Sequence, residues 1–148
     1  MDEPGRRQLQ GGCHCGGIRV ALDWPGPGPA AIPVRACGCG FCVRHGAAWT
    51  SHPEGRFSLR VAEGCRATPY RFGTRTADFH VCPTCGVVPI VTCVIGGSRY
   101  AVVNAHALDD AKSLPFVRTD ADFEGEATDS RLARRRRNWT PEAAGDAG

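Results

Sequence analysis

The sequence predicts an all-β fold, and three observations predict it. Apolar Ile18, Val20 and Leu22 alternate with polar or small neighbours, and a period of two is typical of a half-buried strand. Turn-forming residues are frequent, with 19 glycines and 11 prolines among 148 residues. Between Gly11 and Asn104, no segment keeps a helical period over three turns. Short strands joined by turns satisfy all three observations.

Two further stretches indicate strands in the same way. Residues 57–61 repeat the alternation of apolar and polar side chains. Residues 87–94 predict a buried strand, in which Pro89 marks an edge or a bulge. The Gly96-Gly97 pair then predicts a turn into a strand over residues 100–104, so these two strands should form a hairpin.

The length is sufficient for one domain with a modest core. We expect a disordered N-terminus over residues 1–10, because this segment is polar and charged. The β domain should then extend over residues 11–124. Residues 125–148 are basic and are expected to form a flexible tail, or a short helix over residues 128–138.

Charge and hydropathy exclude some classes of function. The net charge is +3, and most of the excess lies in Arg131 to Arg137, so a nucleic-acid partner is not expected from charge alone. No apolar stretch is long enough to span a bilayer, and the first residues do not resemble a secretory signal. We therefore expect a cytoplasmic protein.

Cysteine content points to metal binding. The chain has nine cysteines, and a reducing compartment does not favour disulfides. Closely spaced cysteines in that setting bind metal or perform redox chemistry. A thioredoxin-like role for the C-x-x-C of Cys82 and Cys85 is disfavoured, because the surrounding sequence lacks the βαβ pattern that it needs.

Two cysteine pairs predict a structural zinc site. Cys13 and Cys15 are two residues apart, so on an extended backbone both side chains would point to the same face. Cys82 and Cys85 precede Gly86, a spacing typical of a tight zinc knuckle. Two such pairs supply the four thiolates of a tetrahedral zinc ion, which would connect the N-terminal strand to the middle of the chain.

A third group predicts a second zinc ion in a different setting. Cys37, Cys39 and Cys42 fall within six residues, and Gly38 and Gly40 would help the chain to wrap around one ion. Three protein ligands leave a fourth position on zinc for water or a substrate thiol, as in catalytic sites. With one thiolate fewer, this ion should be the more weakly held.

The alternative is that this second site is closed. Cys65 or Cys93 could supply a fourth ligand, which would make both zinc ions structural. Otherwise the two are expected to be buried as small apolar side chains. His45 and His52 follow the middle group, and either could be a proton donor or a ligand there.

These motifs together resemble the glutathione-dependent formaldehyde-activating family, which also contains centromere protein V. The resemblance covers about residues 11–110. It is carried by Gly-Gly-Cys-His-Cys-Gly at 11–16, Cys-x-Cys-x-x-Cys-x-Arg-x-Gly at 37–46, Tyr-Arg-Phe at 70–72 and Phe-His-Val-Cys-Pro-Thr-Cys-Gly at 79–86.

The resemblance implies coiled antiparallel β-sheets that are braced by zinc. It also implies that glutathione condenses with formaldehyde, which is carbon–sulfur lyase chemistry in reverse. The family pattern maps the structural zinc onto Cys13, Cys15, Cys82 and Cys85, and the catalytic zinc onto Cys37, Cys39 and Cys42.

The middle motif departs from the family at two positions. Gly40 stands where members commonly have a polar residue, and His45 stands where they have a basic residue after Arg44. Arg44 and His45 would still present a positive edge to an anionic thiol. The alternative function is a non-catalytic zinc-binding module, in which the basic C-terminal segment engages a protein or nucleic-acid partner.

Overall fold

The computed structural model describes residues 6–25, 31–66, 68–123 and 125–143. Strands dominate, and the predicted all-β fold class is confirmed. The strands are β1 Arg6–Gly12, β2 Ile18–Pro25, β3 Ile32–Cys37, β4 Trp49–Thr50, β5 Arg56–Val61, β6 Asp78–Phe79, β7 Ile90–Ile95, β8 Ser98–Asn104, β9 Phe116–Ala121 and β10 Thr140–Pro141.

The strands form two sheets. A three-stranded sheet has the order β1-β2-β5, and a seven-stranded sheet has the order β6-β7-β8-β4-β3-β9, with β10 also beside β8. The antiparallel pairing that the resemblance implies holds for the strands named above except for one pair, because β3 and β9 are parallel. β9 carries mostly exposed side chains, so it lacks the apolar alternation that would have revealed this edge strand.

Two predicted strand regions are confirmed in register. Val20 of β2 lies opposite Leu59 of β5 in an antiparallel pair. β7 and β8 form the predicted hairpin, with Ile95 opposite Ser98 across Gly96 and Gly97. Pro89 precedes β7 instead of forming a bulge within it.

Helices are few and short. α1 is Gly40–His45 and α2 is Thr128–Asn138, and single 3-10 turns are formed by Glu63–Cys65, Ala105–Ala107 and Ala111–Ser113. α1 lies between residues 11 and 104, where the sequence shows no helical period over three turns. It has only six residues, too few to show the helical period that the sequence was searched for.

The predicted N-terminal segment needs correction, whereas the C-terminal segment forms the short helix over residues 128–138 that was one of its two predicted alternatives. Residues 6–10 belong to β1 and pair with β2, although Leu9 is the only large apolar side chain of the strand. The C-terminal segment forms α2, followed by β10, which pairs with β8. Trp139 is only 6% exposed, so this segment is packed into the domain. Residues 1–5 and 144–148 lie outside the described residues.

The central strands of the seven-stranded sheet are buried on both faces. On one face, Val103 of β8 packs with Leu22 and Phe57 of the small sheet in the main core. The adjacent Val102 points the other way and packs with Trp49 and Trp139 in a second core. Since neighbouring side chains of a strand point to opposite faces, α2 and the first turn of α1 cover the face that the small sheet leaves open.

No helix within the described ranges is long and apolar enough to cross a membrane.

Candidate metal centres and an arginine-lined cavity

The predicted four-cysteine group is brought together in space. The sulfur atoms of Cys13, Cys15, Cys82 and Cys85 all lie within 4.8 Å of one another. The Cys15 sulfur is 3.6 Å from that of Cys13 and 3.5 Å from that of Cys82. Four thiolates around zinc at the usual Zn–S length would be about 3.8 Å apart. The four cysteines could therefore hold a metal ion, and the geometry fits zinc.

The first pair lies in the turn between β1 and β2. The prediction placed it on an extended strand, and this is corrected, because the Cys13 carbonyl accepts a hydrogen bond from the amide of Gly16 at 3.1 Å. The Ile18 amide also donates to the Cys13 sulfur at 3.2 Å. The turn thus brings both sulfurs together and supplies an N–H that stabilises one of them as a thiolate.

The second pair forms the predicted knuckle. The amide of Cys85 points at the Cys82 sulfur at 3.4 Å, and this hydrogen bond is the main reason that the pKa of Cys82 is lowered to about 6. Gly86 has a φ of +80°, which glycine adopts without strain. The knuckle is therefore prepared to present a thiolate at neutral pH, as metal binding requires.

Cys65 lies beside this four-cysteine group. Its sulfur is 3.9 Å from that of Cys82, but Cys65 is not a member of the set whose ligand atoms all lie within 4.8 Å. A Cβ atom on Gly17 would be 1.8 Å from the Cys65 sulfur, so only glycine fits at that position. The expectation that Cys65 could close the middle site is therefore wrong.

The middle group also comes together, at the junction of β3 and α1. Cys37 ends β3, Cys39 is the N-cap of α1, and Cys42 lies within α1. The Cys39 sulfur accepts a hydrogen bond from the Cys42 amide at 3.4 Å. Trp49 donates its indole N–H to the Cys42 sulfur at 3.3 Å. Helix capping and one indole thus orient two of the three sulfurs.

The three thiols affect one another's ionisation. A hydrogen bond from Cys42 is the main cause that lowers the pKa of Cys37 to about 5, against the effect of burial. The same hydrogen bond, together with burial, raises the pKa of Cys42. One thiolate is thus stabilised at the expense of its neighbour, and holding all three as thiolates requires a cation among them.

In the described part of the chain, the group has three members and no fourth. Cys93 does not join it, because its sulfur instead accepts a hydrogen bond from Nη1 of Arg135 at 3.5 Å. Cys93 is buried in the same core as Cys42, as expected for a small apolar side chain. The three cysteines could hold a metal ion and would leave one position on it for another ligand.

A cavity of about 700 Å³ opens onto the three cysteines. This volume is in the range of sites for small molecules. Aromatic rings form much of the wall, and they cluster around Phe41, whose ring lies 5.4 Å from that of Tyr70, 5.3 Å from Phe72 and 4.7 Å from Phe79. The other aromatic residues of the wall are Trp49, Phe123 and Trp139.

Arginines form another part of the wall. Arg35 comes from β3, Arg44 from α1, and three more come from α2: Arg131, Arg134 and Arg135. Burial and the charge of Arg134 lower the pKa of Arg35, so these guanidinium groups are close enough to repel one another. A positive wall facing the cysteines attracts anions.

The predicted polar site residues are only partly on this cavity. Arg44 lines it, and its Nη1 donates to the Gly40 carbonyl at 3.0 Å. His45 is exposed and stacks on Phe41 at 4.4 Å, and it is not among the lining residues. His52 packs against Trp24, which belongs to the main core. The structure therefore corrects the assignment of His45 and His52 to the site.

Sequence reasoning missed the residues of α2 that line the cavity. The run Arg131 to Arg137 looks uniformly charged, but α2 places Arg135 and Leu132 on one side together with Trp139. The spacing 132, 135 and 139 is helical, and Trp139 was the signal that this face is buried.

Comparisons with known proteins support the fold alone. No protein-family model matches the chain. Among solved structures, the chain is similar to the crystal structure of a Rhodobacter sphaeroides protein that was a Northeast Structural Genomics target, with a TM-score of 0.50 and 25% identity. The match covers 73% of this chain and 99% of that one. The name of that protein states no function, so the function of this chain has to be inferred from its site.

Proposed function

We propose that this protein is a zinc-dependent, carbon–sulfur lyase-like enzyme that adds a thiol, such as glutathione, to formaldehyde or another small aldehyde. One observation carries the proposal. The group formed by Cys37, Cys39 and Cys42 lies on the wall of a cavity, and no fourth ligand from the described residues encloses it. The resemblance of its motifs to the formaldehyde-activating family supplies the reaction type.

The proposed chemistry needs a thiolate and an electrophilic carbonyl carbon. Zinc bound by the three cysteines would lower the pKa of an incoming thiol, so that a thiolate exists at neutral pH. A carbon–sulfur bond forms as the carbonyl π bond breaks, and the thiol proton ends on the former carbonyl oxygen. The reverse reaction releases the aldehyde.

The chain's own residues would bind and orient the reactants. Arg44 and the arginines of α2 attract anionic substrates and stabilise negative charge that develops on the aldehyde oxygen. Tyr70 is half-exposed on the wall, and its hydroxyl can donate a proton there. The aromatic rings around Phe41 exclude water from part of the cavity.

The second candidate is a non-catalytic zinc-binding module with a protein or nucleic-acid partner. The exposure of Arg136 and Arg137 favours it. However, Arg131, Arg134 and Arg135 line the cavity, so they are directed away from an extended partner. The basic surface that remains for phosphate contacts is small.

The test measures the rate at which the protein interconverts the free aldehyde and the adduct of the aldehyde with a thiol. Exchange is followed by NMR with glutathione and other thiols, and the spontaneous rate is subtracted. We expect the intact protein to accelerate the exchange and Cys65→Ala to accelerate it equally. With Cys42→Ser, the exchange rate should fall to the spontaneous rate. No acceleration with any thiol, or full activity of Cys42→Ser, would reject the proposal and favour the binding module.

A further inference from the structure

The cavity carries a large excess of positive charge. Among its described lining residues, five arginines stand against one glutamate, Glu126, which gives a formal charge of +4 before the thiolates are counted. Charges gathered in a partly enclosed site repel one another, and a bound anion relieves that repulsion. The pKa of Arg135 is lowered by burial and further by the charges of Arg131 and Arg134.

Glu126 neutralises only part of this cluster. Both of its carboxylate oxygens accept from Arg134, at 3.0 to 3.2 Å. Its nearer oxygen is 4.0 Å from Nε of Arg131, beyond hydrogen-bond distance. Arg134 also stacks its guanidinium over Phe123 at 3.5 Å. Arg134 is thus paired with a carboxylate, whereas Arg131 donates from Nη2 to the carbonyl oxygens of Phe123 and Glu126, at 2.7 and 3.4 Å.

Arg131 and Arg135 each keep an unused donor. The Nε atoms of both are buried and have no hydrogen-bond partner among the residues that the structure describes. Arg135 is only 7% exposed, and its Nη1 is held by Thr76 at 2.8 Å. Leaving a buried charged donor unsatisfied is unfavourable. Because both residues line the cavity, the positive charge of their guanidinium groups attracts an oxyanion that binds there.

The aromatic part of the cavity lining suits a flat, apolar group. Phe41 and Phe72 present rings that are nearly parallel, at 27°, and Trp139 lies beneath the guanidinium of Arg135 at 4.9 Å. An aromatic ring gains free energy by packing on such faces. Glutathione has no ring and carries several charges, so it would leave this apolar surface unused.

We propose that the cavity binds an aromatic oxyanion, with its carboxylate or phosphate on Arg131 and Arg135 and its ring against Phe41 and Phe72. The inference rests on the proposed function only in taking this ligand to carry the thiol that reacts beside Cys37, Cys39 and Cys42. The binding claim stands on the arginines and the aromatic wall.

The test is a titration of the full-length, zinc-loaded protein, followed by the fluorescence of Trp49 and Trp139, which line the cavity. The probes are phenylacetate, phenyl phosphate, inorganic phosphate and the uncharged 2-phenylethanol. We expect saturable binding of the first two and much weaker binding of the others. If phenylacetate binds more tightly than phenyl phosphate, the anionic group of the ligand is a carboxylate. If phenyl phosphate binds more tightly, that group is a phosphate.

Matched variants locate the binding. Arg131→Gln and Arg135→Gln should each weaken the better probe by about tenfold to a hundredfold, as expected for losing a hydrogen bond to a charged group. Arg136→Gln and Arg137→Gln, exposed on the same helix, should leave binding unchanged. Phe72→Leu should weaken phenyl phosphate more than inorganic phosphate. If melting temperatures show that Arg135→Gln does not fold, the affinity of Arg131→Gln for the probe tests the inference instead.

Three results would overturn the inference. One is equal binding of 2-phenylethanol and phenylacetate, and another is equal binding of inorganic phosphate and phenyl phosphate. The third is an equal loss in the Arg136→Gln control. These results are separable from the enzymatic proposal, because binding needs no turnover: aldehyde exchange without probe binding rejects this inference alone, and probe binding without exchange rejects the enzyme alone.

Discussion

Trp49 connects the second core to the three-cysteine group. Its indole N–H donates to the Cys42 sulfur at 3.3 Å, and its ring is 5% exposed. Hydrogen bonds to ligand atoms orient them and stabilise the thiolate that a metal needs. Trp49 belongs to β4, which pairs with β8, so the position of this donor is fixed by the large sheet.

Replacing Trp49 with Phe keeps an aromatic ring and removes the donor. We expect the zinc affinity of the three-cysteine site to fall about tenfold, the lower end of effects seen for groups behind metal ligands. Competition with a chromophoric chelator measures this affinity. Trp24→Phe in the main core is the matched control and should leave it unchanged. Equal affinities of Trp49→Phe and the intact protein would show that the indole does not support the site.

Cys65 and Cys82 are neighbours with different expected roles. Cys82→Ala removes a ligand, so the protein should lose about one zinc per chain and much of its stability, since structural zinc contributes directly to folding. Cys65→Ala should keep its zinc, because Cys65 lies outside the group of four. Elemental analysis with thermal unfolding tests both variants. Loss of zinc from Cys65→Ala would mean that it is a ligand after all.

At the scale of elements, α2 and β10 complete the domain. β10 pairs with the free edge of β8 next to β4. The amide of Ala143 also donates to the carbonyl of Phe57 in the small sheet at 2.8 Å. The C-terminal segment therefore contacts both sheets and supplies part of the cavity wall.

Trp139→Ala tests whether this segment is structural. Truncating a buried large aromatic side chain costs about 3–5 kcal/mol, and the free energy of unfolding in urea should fall by that order. Arg137→Ala, which removes an exposed side chain of the same helix, should change it by less than about 0.5 kcal/mol. A similarly small change for Trp139→Ala would mean that the segment is a loosely attached tail, which was one of the two alternatives predicted from the sequence.

At the scale of the whole molecule, the cysteine spacing predicted more than the hydropathy pattern did. Ligands that share one ion must be close together, so spacing alone grouped Cys13 with Cys82 across the chain. Half-buried strands such as β2 also showed their period of two. Each cysteine pair and each alternating strand is formed by residues that are close together in the sequence, so both features can be predicted from the sequence.

The cavity could not be predicted from the sequence in the same way. Its arginines come from β3, α1 and α2, and nothing local to Arg35 or Arg135 indicates that they meet. β1 and β9 were missed because they are held mainly by backbone pairing and carry few buried side chains. Tertiary context decides the pairing of such strands.

The central claim is that the two cysteine groups are separate metal sites, one structural and one open to the cavity. Zinc per chain and the melting temperature of the intact protein and of Cys42→Ser test it most directly. We predict two zinc ions in the intact protein, and one in a variant that remains folded. A single zinc in the intact protein, or unfolding of Cys42→Ser, would contradict the claim, since the middle group would then be vacant or part of the scaffold.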